Sequence, residues 1–145
     1  MVVSPAAFWD ASALCPLCMQ EPSTHRARSA TRRYAAVVWW GTAVEIHSAI
    51  SRSLHSGSID GKESKRAVAS LNKVWSTWTE ILPSDSLRDS AGDLLDRFPL
   101  RAADSLQLAA ALTWCRQRPD GKTFICSDKR LNEAAKAIGF SIVEI

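Results

Sequence analysis

The chain has 145 residues, 46% hydrophobic and 23% charged, with a formal net charge of +3 at pH 7. That length suits one domain, residues 1–145, with a sizeable core, and no stretch approaches the ~18 unbroken apolar residues of a membrane span. Met1-Val2-Val3-Ser4-Pro5 has neither a basic start nor a long apolar run, so no secretion signal is expected and a cytoplasmic setting is.

In chain order, residues 6–10 read as a first strand and 12–20 as a short helix with Ser12 as its N-cap. After Pro22, an arginine-rich helix runs from Ser23 to about Tyr34. Ala36-Val37-Val38-Trp39-Trp40 is a continuous apolar run of strand length, suited to a parallel sheet buried on both faces. Gly41-Thr42 turns into a helix whose apolar positions Ala43, Val44, Ile46, Ala49, Ile50 and Leu54 recur at helical spacing, and Gly57 ends it.

Asp60-Gly61 opens a further helix to about Trp75, striped by Val68, Leu71, Val74 and Trp75. Residues 78–82 are a weaker strand, and Ser86 with Asp89 resembles a capping box for a helix reaching Phe98. Residues 102–116 form a helix that is apolar almost all round, hence central. Pro119-Asp120-Gly121 is a turn, residues 123–126 a buried strand, Asn132–Ile138 a helix capped by Gly139, and residues 141–144 the last strand. Alternating strands and helices imply a three-layer α/β/α fold with a mainly parallel sheet of four or five strands.

Two features look chemical and are read as structural. Cys15-Pro16-Leu17-Cys18 has the C-x-x-C form, but Cys115 and Cys126 are too far apart to supply the second pair of a zinc site. The thiols are therefore expected to be packing groups. Asp85, Asp89 and Asp93 are spaced by four, which makes a solvated helix face rather than a ligand set. His25, His47 and His55 fit no metal or nucleophile pattern, and no glycine-rich phosphate loop occurs.

Four other acids stand at transitions between strand and helix. Asp10 ends the first apolar run, Glu45 lies in the first turn after the second, Asp104 opens the central helix, and Asp128 follows the fourth strand by two residues. Parallel strands share one carboxyl edge, so acids there converge whatever their separation in sequence. Carboxylates gathered without a counter-charge repel, and a hard divalent cation, Mg2+ or Mn2+, removes the conflict. Ser12 and Ser127, beside two of the acids, are placed to orient ligands or waters. Arg26, Arg28, Arg32 and Arg33 lie in a stretch without acids, between Glu21 and Glu45, and this local basicity suits either a phosphate backbone or a solvated helix face.

In that order, Asp10-Ala11-Ser12-Ala13-Leu14, Glu21-Pro22, Val44-Glu45-Ile46, Ala103-Asp104-Ser105-Leu106-Gln107-Leu108-Ala109 and Ser127-Asp128-Lys129-Arg130-Leu131 resemble the PIN-domain ribonucleases. More narrowly, the chain is similar to the VapC-type toxins of bacterial toxin–antitoxin pairs. The similarity runs from residue 6 to the end, with departures from the common pattern at Ala11, Ala103 and Gln107, none of which removes a carboxylate. The resemblance implies metal-dependent hydrolysis of an RNA phosphodiester. It implies that Asp10 and Asp104 ligate Mg2+ (or Mn2+) most directly, Asp128 directly or through water, and that Glu45 orients water or helps to hold a second ion. It also implies that Arg26, Arg28, Arg32, Arg33, Lys129 and Arg130 neutralise flanking phosphates of the RNA, and a homodimer held inactive by an antitoxin protein. Leu71, Trp75 and Trp78 are candidates for such an interface but read first as packing.

Two other classes compete. One is a catalytically silent RNA- or protein-binding module of the same fold, against which the presence of all four acids argues. The other is a haloacid-type phosphatase, which needs a second Asp two residues after the first, where this chain has Ser12.

Overall fold

The computed structural model describes residues 3–145; Met1 and Val2, which begin the stretch read for a secretion signal, lie outside them. The described residues form five strands and seven helices: β1 (Ala6–Trp9), α1 (Ala11–Cys18), α2 (Thr24–Arg33), β2 (Ala35–Trp39), α3 (Thr42–His55), α4 (Gly61–Trp75), β3 (Thr79–Ile81), α5 (Asp85–Arg97), α6 (Ala102–Trp114), β4 (Thr123–Cys126), α7 (Lys129–Ile138) and β5 (Ser141–Glu144). The strands make one sheet in the order β3-β2-β1-β4-β5, and every pairing is parallel. No helix among the described residues is long and apolar enough to cross a membrane.

The short strands are apolar on both faces because both faces are covered. Phe8, Val37, Phe124 and Cys126 pack with Leu87 and Leu94 of α5, Leu108 of α6 and Leu131 of α7. Ala7, Trp9, Val38 and Ile125 pack on the other side with Leu14 of α1, Ile46 and Ile50 of α3 and Leu71 of α4. The result is the expected three-layer α/β/α arrangement. Phe8 and Phe124 are register partners whose rings stack at 5.7 Å, and Phe140 tilts against Phe124 at 5.6 Å. Leu71 and Trp78 are buried, and Trp75 packs against Trp78 with its ring half exposed.

Several element boundaries differ from the sequence reading, most of them at helix starts. The N-cap of α1 is Asp10, not Ser12: only Asp10 separates β1 from α1, so its carboxylate follows the strand directly and accepts the Ser12 N–H. The cap of α5 is Ser84, not Ser86; Ser84 is extended and its hydroxyl accepts from the Leu87 N–H. Helix α7 starts at Lys129 behind an Asp128 cap, not at Asn132, which is buried and donates to the Cys126 carbonyl. Helix α6 stops at Trp114 rather than 116, because Arg116 and Gln117 take left-handed backbone angles that reverse the chain. Gly139, at φ 117, ends α7 as expected of a left-handed cap.

The sheet order places the site. The chain builds outward from β1 to β2 and β3, then returns to β4 on the other side of β1. Between β1 and β4 the connecting helices diverge to opposite faces, leaving a crevice at the carboxyl edge, where α/β folds bind ligands.

Truncating the central aromatic of this arrangement, Phe124→Ala, should cost about 3–5 kcal/mol of stability. Urea unfolding followed by circular dichroism checks it: the midpoint should fall sharply with an unchanged slope.

Candidate metal centre

The four acids named above are brought to one place. Asp10, Glu45, Asp104 and Asp128 line a single cavity of about 480 Å³ at the carboxyl edge, together with Ser12, Cys15, Ser48 and Arg52. Asp10 caps α1, Asp128 caps α7, and Glu45 and Asp104 lie in the first turns of α3 and α6. Four helix N-termini thus point their positive ends toward the same negative cluster, each offsetting repulsion by about 0.3–1 kcal/mol.

Hydrogen bonds fix each carboxylate by one oxygen. Asp10 Oδ2 accepts from the Ser12 N–H at 3.0 Å, from the Ser12 hydroxyl and from the Cys126 thiol at 3.6 Å. Glu45 Oε1 accepts from Gln107 Nε2 at 3.3 Å. Asp104 Oδ2 accepts from the Arg101 N–H at 3.4 Å, and Asp128 Oδ1 from the Leu131 N–H at 2.9 Å. Among the described residues no protein group donates to Asp10 Oδ1, Glu45 Oε2, Asp104 Oδ1 or Asp128 Oδ2. Each acid therefore keeps one oxygen free of protein partners, and none is in an ion pair; the one salt bridge among the described residues joins Arg88 to Asp85.

The electrostatics follow. Burial raises the Asp10 carboxyl above its ordinary value, partly offset by the Ser12 bonds and reinforced by the charge of Asp104. Burial, then the Asp10 charge, push Glu45 up to about 7, with Gln107 pulling against them. Asp104 is raised by burial, held back by the Arg101 N–H, and pushed further by Asp128. The four acids form one repelling set. The fit to a hard cation lies in the donor chemistry: free carboxylate oxygens, no competing ammonium or guanidinium partner, and oxygen ligands of the kind Mg2+ and Mn2+ take. Among the described residues no three acid, histidine or cysteine side chains converge closely enough to hold an ion as they stand. The acids line the cavity wall, and an ion held by three of them would draw those side chains inward.

Two serines tie the edge together. The Ser12 hydroxyl donates to Asp10 and accepts from the Ser127 N–H at 3.0 Å, while the Ser127 hydroxyl donates to the Ser12 carbonyl at 3.1 Å. These bonds lock the β4–α7 loop, which carries Asp128, onto the start of α1, which carries Asp10.

Of the cations, Lys129 and Arg130 line a second cavity of about 530 Å³ with Arg101, and that cavity shares Ala103, Asp104 and Asp128 with the first. Arg26, Arg28, Arg32 and Arg33 line neither. Arg32 and Arg33 end α2 just before β2 begins, at the opposite edge of the sheet. Asp85, Asp89 and Asp93 are exposed and apart from the acidic cavity, and the three histidines are exposed.

Three contributors went unseen in the sequence. Gln107 is 0% exposed and bridges Thr42 Oγ1, at 3.0 Å, to Glu45, so it sets the glutamate's position. Cys126 sits between two acids, its sulfur donating to Asp10 and accepting from the Asp128 N–H at 3.2 Å. Arg101 supplies both a backbone donor and a nearby charge to Asp104. A polar residue inside an otherwise apolar helix was the available signal for Gln107. All four cysteines are free; burial pushes Cys15 and Cys18 up to about 12 and about 11 and Cys126 higher still, in keeping with packing thiols.

No family model matches this chain, and no curated protein matches its sequence. Solved structures do share its fold. A chain of a toxin–antitoxin complex from Klebsiella pneumoniae superposes with a TM-score of 0.59 at 17% identity, covering 86% of this chain and 89% of that one. A protein from Pyrobaculum aerophilum superposes with a TM-score of 0.68 at 20% identity, covering 96% and 90% respectively. At these identities the likeness is one of fold.

The raised carboxyls fix the sign of a pH effect. Between the ordinary glutamate value and about 7, folded Glu45 keeps a proton that the unfolded chain has lost, so stability falls as pH rises through that window and levels off above it. Asp10 and Asp104 add to the same trend from lower pH. Thermal unfolding in a chelator should show the melting temperature declining from about pH 4.5 to about pH 7, with a shallower decline in Glu45→Gln.

Proposed function

We propose that this chain is a Mg2+- or Mn2+-dependent endoribonuclease of the PIN type, and the toxin of a toxin–antitoxin pair. The observation that carries this reading is that four carboxylates on one cavity wall each hold one oxygen back from the protein. A structural cluster would spend those oxygens on donors or cations, because repulsion among clustered, partly desolvated acids is costly. Asp10 and Asp104 would hold the ion most directly, with Asp128 completing the set. A divalent cation bound there supplies charge against the phosphate oxygens and a lowered pKa for a water.

The chain's own groups do the rest. Glu45, on the same cavity wall, is placed to take a proton from an attacking water, and Gln107 aims it. Lys129, Arg130 and Arg101, in the adjoining cavity, receive the phosphates of the strand beyond the cut. The fold shared with a chain of a toxin–antitoxin complex supports an antitoxin protein as partner, and the homodimer stays part of the proposal. A silent module has no use for the free oxygens. A haloacid-type phosphatase lacks its second carboxylate, since Ser12 is spent as a donor to Asp10.

Asp10→Asn and Asp104→Asn should each lower cleavage of single-stranded RNA by about 10²-fold or more, and a chelator should abolish cleavage in the unaltered chain. Both variants should fold, with melting temperatures in chelator equal to or above the parent, because each removes a repelling charge. Full activity in either variant would refute the proposal.

A further inference from the structure

We propose that Arg52 binds the RNA phosphate next to the one being cut, on the α3 side of the acids, opposite the Lys129 and Arg130 side; this rests on the nuclease reading above. Glu45, Ser48, Ala49 and Arg52 all line the acidic cavity. Their spacing of three, four and seven residues puts them along one face of α3, with Arg52 about 10 Å along the axis from Glu45. The guanidinium is tethered one turn back, donating from Nη1 to Ser48 Oγ at 2.8 Å. It pairs with none of the four acids.

The electrostatics require such a group. A polyanion approaching four carboxylates is repelled until cations receive its phosphates on each side. Arg101, Lys129 and Arg130 stand on the α6 and α7 side and line only the second cavity. Arg52 lines only the first, and it is the one Lys or Arg on that wall. A strand crossing the shared Asp104 and Asp128 therefore meets cations before and after the acids. Of the five N–H donors of a guanidinium, one is used on Ser48, which leaves a fork for two phosphate oxygens. Because Arg52 sits beyond Glu45 rather than at the acids, it acts on binding and leaves the chemical step alone.

The full chain tests this with Arg52→Gln, Arg52→Lys and Arg88→Gln, the last removing an exposed arginine already paired with Asp85. A fluorescein-labelled single-stranded RNA reports binding by anisotropy in a chelator, where the RNA stays intact, and the same RNA reports cleavage in Mn2+. Arg52→Gln should raise Kd and KM about five- to tenfold, with kcat within about twofold. Its log–log dependence of affinity on salt should be shallower by about 0.7, the share of one phosphate contact in a single strand. Arg52→Lys should fall between, keeping the charge but losing the fork, and Arg88→Gln should match the parent. Unchanged Kd and salt dependence in Arg52→Gln would overturn the inference, as would a loss confined to kcat. A parent chain that binds RNA without cutting it, and binds it more weakly as Arg52→Gln, leaves Arg52 as a phosphate ligand and sinks the nuclease reading alone. A parent chain that does neither overturns both.

Discussion

Mutual repulsion among Asp10, Glu45, Asp104 and Asp128 is the constraint around which this molecule is arranged. Two of the acids open helices as caps and two lie in first turns, so the backbone dipoles of α1, α3, α6 and α7 oppose the repulsion without neutralising it. Burial first, and that repulsion after it, displace the carboxyls of Asp10, Glu45 and Asp104 upward, Glu45 to about 7. A protein that kept these residues only for stability would gain from replacing one of them by an amide. Leaving each with a free oxygen makes sense if a cation completes the arrangement.

The sheet order does the gathering. Asp10 and Asp128 come together because β1 and β4 are neighbours despite the length of chain between them, and the Ser12–Ser127 bonds hold those two loop starts in contact. Glu45 arrives because β2 is the other neighbour of β1 and α3 leaves it at once. The apolar faces behind them, with Phe8 on Phe124 on one side and Trp9 buried on the other, supply the rigidity. Asp10 shows how closely fold and site are joined: one oxygen starts a helix, and the other is free for the cavity.

Much of this was legible in the sequence because parallel strands leave a strong mark. Apolar runs of strand length, followed by an acid and a helical pattern, foretold the layers, the edge and Asp10, Glu45 and Asp128; Asp104 follows a helix, α5, and was marked only by its place at the start of the central helix. Helix starts were read less well, since Ser84 and Ser86, or Asp128 and Asn132, are chemically equal candidates for a cap. Which one caps depends on which residue is extended, and that is decided by the preceding loop. Gln107 and Arg52 were not legible as site residues: Gln107 reaches Thr42 and Glu45 only once α6 packs beside β2, and Arg52 reaches the cavity wall only as part of the α3 face that carries Glu45. The arginines of α2 show the converse, a local charge pattern that the fold carries away from the acids.

The central claim is that the four acids bind a divalent cation, and calorimetric titration of Mn2+ at slightly acid pH, repeated in buffers of different ionisation enthalpy, tests it most directly. The account predicts saturable binding with release of protons, since the ion displaces those held by the raised carboxyls, and loss of that binding in Asp10→Asn. Absence of saturable binding at millimolar Mn2+, or binding unaffected by removing Asp10, would contradict it.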